Sequence, residues 1–143
     1  MSEPAAHTFG KQERIVSRKL IERLFGGGGS RSMSAYPLRL VYLPVERDGV
    51  GAKVLISVPK RHFKRAVKRN RVKRQVREAY RMHKQLLDGA ISLMADRTLA
   101  LAFIWQADEL YDSRAVEASV RSLLERLNER LTRTDGNAHE KSC

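Results

Sequence analysis

Residues 60–84 read Lys60-Arg61-His62-Phe63-Lys64-Arg65-Ala66-Val67-Lys68-Arg69-Asn70-Arg71-Val72-Lys73-Arg74-Gln75-Val76-Arg77-Glu78-Ala79-Tyr80-Arg81-Met82-His83-Lys84, with twelve Lys or Arg residues and a single acid, Glu78. The whole chain of 143 residues has a net charge of +12, so almost all of its positive excess is confined to this segment. Wound at 100° per residue, Val72, Val76, Ala79, Tyr80, His83 and Leu87 fall on one apolar stripe suited to a core. The opposite side carries Asn70, Arg74, Arg77, Arg81 and Lys84, with Lys73 at its border. The spacing predicts a helix with one face buried and the other offered to a polyanion.

Alone in water such a helix is poorly built. Like charges meet at i, i+4 in the pairs 64/68, 65/69, 69/73, 73/77 and 77/81, each unfavourable by roughly 0.2–0.5 kcal/mol, against one favourable Arg74–Glu78 pair. Lys64, Arg65, Lys68 and Arg69 also crowd the expected N-terminal turn, where the helix dipole is already positive. An anionic partner relieves both strains, and phosphate fits because free amide groups and bidentate Arg both bind it. The bland alternatives are a solvated basic face or a nuclear-localisation-like run. Solvated faces, however, usually interleave both signs of charge.

At 16.3 kDa the chain suits one compact domain, and a pI near 10.4 points to nucleic acid or an acidic membrane surface. There is no apolar run of eighteen residues and no basic-then-apolar leader, so no membrane association and a cytoplasmic location are expected. The single cysteine, Cys143, can form neither an internal disulfide nor a thiolate metal cluster.

In chain order, residues 1–13 read as a flexible arm, 14–132 as one domain and 133–143 as a fraying tail. Ser17 is a candidate cap for a short helix with apolar residues at 20, 21, 24 and 25. Glycines 26–29, with Ser30, Arg31 and Ser32, read as a mobile loop; no Gly-Lys-Ser/Thr follows, so it is not a phosphate loop. Residues 38–43 and 53–58 read as a strand pair, split by a turn at Asp48-Gly49 and bounded by Pro44 and Pro59. Arg39 alternates with apolar neighbours, leaving one strand face partly open, with Tyr36 and Tyr42 as candidates to line it. After the basic helix, expected to end at Asp88-Gly89, residues 99–105 are apolar on both faces and suit a central strand. Trp105 is expected in the core. Asp112 or Ser113 is the candidate cap of a last helix, whose stripe of Val116, Val120, Leu123, Leu127 and Leu131 faces the core. The order α-β-β-α-β-α describes an α+β fold, a small mixed sheet packed with helices.

The chain shows no catalytic constellation of its own. His7, His62, His83 and His139 are too scattered for a zinc site, and His83 lies on the apolar stripe. There is no nucleophile elbow, and the acids 88, 96, 108, 109 and 112 lack the helix-face pairing of a two-metal nuclease.

Ala66-Val67-x-Arg69-Asn70-Arg71-Val72-Lys73-Arg74-x-Val76-Arg77-Glu78 resembles the signature of the bacterial ribonuclease P protein component, thirteen consecutive positions with Arg-Asn-Arg in its characteristic setting. The likeness covers roughly residues 9–130. It implies the same element order, with a left-handed crossover through the basic helix where spacing alone suggests the common right-handed one. It further implies a protein that assists a catalytic RNA, the ribonuclease P RNA, which holds Mg2+ and removes the 5′ leader of precursor tRNA. No obligate protein partner is evident.

By position in the motif, Arg69, Asn70, Arg71 and Arg74 go to the catalytic RNA, with Asn70 reaching a metal only through bound water. Lys60, Arg61, Lys68 and Arg81 join them as RNA-binding residues. Lys73 and Arg77 go to the leader side. In the family two aromatic residues of the first helix face the leader; here Phe25 holds the second position and Ile21, which cannot stack as a ring does, the first. The leader cleft is therefore assigned Ile21, Phe25, Tyr36, Tyr42, Lys73 and Arg77. Two other classes compete: a structural, ribosomal-type RNA-binding protein without a role in cleavage, and a DNA-binding protein placing the helix in a major groove. The thirteen-position motif favours the ribonuclease P reading over the first. The strands flanking the helix, with no helix-turn-helix partner before it, speak against the second.

Overall fold

A computed structural model describes the backbone of residues 10–26 and 29–141 and the side chains as far as residue 133. The elements are α1 (Arg18–Phe25), β1 (Arg31–Ala35), β2 (Leu38–Glu46), β3 (Ala52–Ser57), α2 (Ala66–His83), α3 (Asp88–Leu93), β4 (Arg97–Trp105) and α4 (Ser113–Lys141). The fold is α+β, as the sequence predicts. Short 3-10 turns at Lys11–Glu13 and Lys84–Leu87 complete it.

The sheet runs β1-β2-β4-β3. β4 is its middle, antiparallel to β2 over all nine residues and parallel to β3 over six. The expected pairing of the second and third strands is thus corrected: β4 lies between them. Its residues Leu99 to Phe103 are buried on both faces, which is why an apolar strand takes the position with two neighbours and two covered sides.

One sheet face carries Leu38, Leu40, Tyr42, Val54, Leu101, Phe103 and Trp105, and meets Val72, Val76 and Tyr80 of α2 and Val116, Val120, Leu123 and Leu127 of α4. Both predicted helix stripes are therefore core, apart from His83 and Leu131, which are half-buried. The other face, with Val41, Ala100 and Ala102, is covered by Leu24 of α1 and by Ile15, whose amide donates to Val54 O at 3.0 Å.

Several expectations change. Arg31 and Ser32, expected in a mobile loop, belong to β1. Its Ser34 carbonyl accepts from Arg126 and its Ala35 carbonyl from Ser119, so α4 fastens the strand from outside. Pro44, expected as a boundary, lies inside β2 opposite Leu99. β1 reaches only as far as Tyr42, so the missing proline donor falls where β2 has no neighbour on that side. Asp88-Gly89 does not end the helical run but opens α3. Asn128 Oδ1 accepts from Ala90 N at 2.8 Å and would lie 3.3 Å from a Cβ on residue 89, so the glycine permits α3 to approach α4 closely.

At the termini, residues 11–13 of the expected loose arm form a 3-10 turn whose Glu13 pairs with Lys84 at 2.9 Å. α4 continues as helix through Lys141, past the expected limit at 132, there being no proline to interrupt it. The rest of the arm (1–9), Gly27, Gly28 and residues 142–143 lie outside the described residues, and with them His7 and Cys143.

Both expected caps have a partner. Ser17 Oγ accepts from Leu20 N at 3.3 Å and Asp112 Oδ1 from Ala115 N at 2.8 Å. Since α1 has only eight residues and rests on the sheet mainly through Leu24, Ser17→Ala is expected to cost about 1 kcal/mol and to raise amide exchange in α1 above that of α4, measurable by hydrogen–deuterium exchange.

Candidate nucleic-acid interface

The stripe that buries α2 fixes what its other side displays. With Val72, Val76 and Ala79 against the sheet, Asn70, Arg71, Arg74 and Arg77 stand exposed in one row, and Lys73 is half-buried at its edge. Among the described residues none of these five has an ion-pair or hydrogen-bond partner. Lys60, Arg61 and Lys68 extend the exposed charge into the loop before α2 and its first turn.

Two members of the predicted set are engaged by the chain itself. Arg69 folds back, its Nη1 donating to the Phe63 and Lys64 carbonyls at 2.7 and 2.8 Å, where it closes the turn entering α2. Arg81 grips Glu78 through Nε at 3.2 Å and Nη2 at 2.6 Å. Glu78 therefore pairs at i, i+3 and not with Arg74 as its i, i+4 spacing suggested, which leaves Arg74 open. Hydrogen bonds from Arg81 hold the Glu78 carboxyl below its ordinary value of 4.5. The sign is that of a pair in force above that value and lost as pH falls through the lowered one. With Glu78 61% exposed, its contribution to stability is small.

Two tethers hold the basic segment at its ends. His62 Nδ1 lies 2.7 Å from Asp108 Oδ1, and His83 Nε2 lies 2.8 Å from Glu117 Oε2. His83, which its place on the apolar stripe put in the core, is half-buried and bridges α2 to α4.

On the opposite face of the sheet, α1 leaves open ground on either side of itself. One recess of about 400 Å³ is lined by Phe25, Arg31, Ser32, Arg39, Val41 and Ile104. A second, of about 190 Å³ at the β3 edge, is lined by Arg14, Val16, Leu55 and Ile56 together with Lys73 and Arg77 of α2. Phe25 is 46% exposed and Val16 84%, so each recess has an apolar surface beside cations.

The predicted cleft residues divide. Phe25, Lys73 and Arg77 reach this face. Ile21 is half-buried against Val41 and Ala102 and lines neither recess. Tyr42 is 3% exposed, with its hydroxyl accepting from Arg130 Nη1 at 3.2 Å, and belongs to the core. Tyr36 stands in the turn between β1 and β2, against Tyr111, on the side of α2 and α4. Tyr42 could have been placed from sequence, since it shares the parity of Leu38 and Leu40 and opposes that of Arg39. Arg14, Val16, Arg31 and Ser32 also line the recesses, brought there by strand pairing that leaves no local signature in the sequence.

Residues 9–128 match the profile of the family described as Ribonuclease P. The chain belongs to the ribonuclease P protein family. Its relatives include the Ribonuclease P protein component of Porphyromonas gingivalis, 42% identical over 130 residues, covering 89% of this chain and 91% of that one. Another, from Chlorobaculum tepidum, is 34% identical over 136 residues, covering 89% and 87%. Among solved structures, the RNase P protein of Thermotoga maritima shares the fold with a TM-score of 0.62 at 21% identity, covering 80% of this chain and 96% of that one. The Staphylococcus aureus RNase P protein does so at 0.62 and 19%, covering 82% and 96%. In this ribonuclease P protein the helix bearing Arg69-Asn70-Arg71 is thus α2, packed on a four-stranded sheet. No described helix is long and apolar enough to cross a membrane.

Proposed function

We propose that the chain is the protein subunit of a ribonucleoprotein endonuclease, binding a ribonuclease P RNA through the outer face of α2 and the 5′ leader of precursor tRNA on the opposite face of the sheet. The observation that carries this reading is the row Asn70, Arg71, Arg74 and Arg77, exposed and without an intramolecular partner among the described residues. Such groups on one helix face are held ready for phosphates, and the mutual repulsion of the three arginines falls when phosphates arrive. Phe25 offers a ring for an unpaired leader base and Arg31 and Arg39 offer charge for its backbone, the combination that suits a single strand. Lys73 and Arg77 stand where the two faces meet at the β3 edge.

The catalytic step is assigned to the RNA. Among the described residues no three His, Cys, Asp or Glu side chains converge to hold a magnesium ion, and the proposed interface is cationic. On this reading the Mg2+ of the reaction is held by the RNA, and Asn70 supplies an amide hydrogen bond to a phosphate oxygen or to metal-bound water. Asparagine is a mediocre helix former and has no partner here, so Asn70→Ala is expected to change folding stability by less than about 0.5 kcal/mol. The same variant is expected to slow cleavage by the reconstituted particle at limiting magnesium.

The test mixes the purified chain with a bacterial ribonuclease P RNA and precursor tRNA at low magnesium. Restored leader removal is the expected result. Retention of RNA without cleavage would return the chain to the structural RNA-binding class. Salt sensitivity of binding accompanies both outcomes and distinguishes neither.

A further inference from the structure

The turn between β1 and β2 lifts Tyr36 into solvent, 67% exposed, the most exposed aromatic ring among the described residues. The ring is nevertheless braced. It packs edge-to-face on Tyr111, with centroids 6.3 Å apart, and Tyr111 stands in the same way on the fully buried Trp105 at 5.7 Å. The backbone of Tyr111 is tied in turn to α2: its carbonyl accepts from Gln75 Nε2 at 3.0 Å, and the same amide nitrogen lies 3.2 Å from Ser113 Oγ. Gln75 and Ser113 then line, with Arg71, Arg74 and Glu78, whose carboxylate is held by Arg81, an open groove of about 570 Å³. An exposed ring and two unpartnered guanidinium groups are therefore linked through Tyr111 and Gln75. They lie on the surface across the sheet from the recess that holds Phe25.

We propose that this surface is a nucleotide-binding site, in which one unpaired base stacks on the open face of Tyr36 while the adjoining phosphates lie along Arg71 and Arg74. A ring already braced by Tyr111 loses little freedom on stacking, and a large apolar ring in water gains from being covered. Stacking tolerates any base, and structured RNA displays such bases in loops and bulges. The partner is a looped-out nucleotide of the RNA that meets α2, distinct from the leader strand. The site rests on the reading of the α2 face given above and names the element of that RNA which it takes.

The experiment uses the full chain with a bacterial ribonuclease P RNA, comparing Tyr36→Ala, Tyr36→Phe and the unsubstituted protein by filter retention. In the reconstituted particle it also compares affinity for precursor tRNA with affinity for mature tRNA. Tyr36→Ala is expected to weaken binding to the ribonuclease P RNA by about five- to a hundredfold. Tyr36→Phe is expected to stay within about twofold, since it keeps the stacking face, and the precursor-to-mature ratio is expected to be unchanged in both. Unaltered RNA affinity of a folded Tyr36→Ala overturns the proposal. So does a fall in the precursor-to-mature ratio, which would move Tyr36 to the leader. Failure of the parent reading looks different, because the unsubstituted chain would then neither bind this RNA nor restore cleavage.

Discussion

Arg71→Ala with Arg74→Ala is expected to weaken binding to a ribonuclease P RNA by about a hundredfold while leaving the protein as stable as before or slightly more so. Two charge-assisted hydrogen-bonding side chains at roughly 1.5 kcal/mol each account for the loss. The opposite sign for stability follows from the geometry. Neither guanidinium has a partner within the described residues, and each stands among like charges on α2, so their removal relieves repulsion of a few tenths of a kcal/mol. Two measurements settle it, a thermal melt of the free protein and a titration of RNA binding at several salt concentrations. In the second, the log–log slope should flatten by about 0.7 to 0.9 for each phosphate contact removed. If affinity and stability fell together, the two residues would be structural and the α2 face would not be the RNA surface. Arg81→Ala is a useful contrast, since Glu78 already occupies its guanidinium.

The features legible in the sequence were those with a strong one-dimensional period or a local charge excess. The stripe Val72, Val76, Ala79, Tyr80 and that of Val116, Val120, Leu123, Leu127 each survive into the core because a 3.6-residue period can be satisfied by only one helix face. The central place of β4 was legible for a related reason, since only a strand covered on both sides carries apolar residues on both.

What could not be read depended on partners far along the chain. β1 has one buried residue, Met33, and exists because β2 offers it a ladder and Arg126 and Ser119 of α4 hold its carbonyls. No property of Arg31-Ser32-Met33-Ser34-Ala35 announces this, and intrinsic strand preference is a weak guide where packing decides. Sequence neighbours usually pair, which favoured joining β2 to β3, but β4 had the stronger claim on both. At the site, charge gave the membership of the basic face but not its use. Whether an arginine meets RNA or its own backbone depends on carbonyls within reach, and Arg69 finds two of them in the turn at Phe63 and Lys64.

The largest effect on folding is expected at a ring on the sheet face that α2 and α4 cover. Phe103, in the middle of β4, is fully buried and packs edge-to-face on Tyr80 of α2 with centroids 6.1 Å apart. It is flanked by Leu40 on β2 and Ile56 on β3, so the space that Phe103→Ala vacates has backbone on two sides that cannot move inward without breaking the ladders. The loss of apolar burial and the remaining cavity together predict about 3 to 5 kcal/mol of destabilisation. For a domain of this size that is a large part of the total and lowers Tm by roughly 10 °C or more. Phe25→Ala removes a ring of the same size from the exposed recess beside α1, and is expected to shift Tm little while weakening discrimination between precursor and mature tRNA. The pair of variants separates two uses of one residue type, with denaturant titration reading the first and substrate affinity the second. Equal losses of stability in both would mean that Phe25 is part of the core and that the recess it lines is not a binding surface.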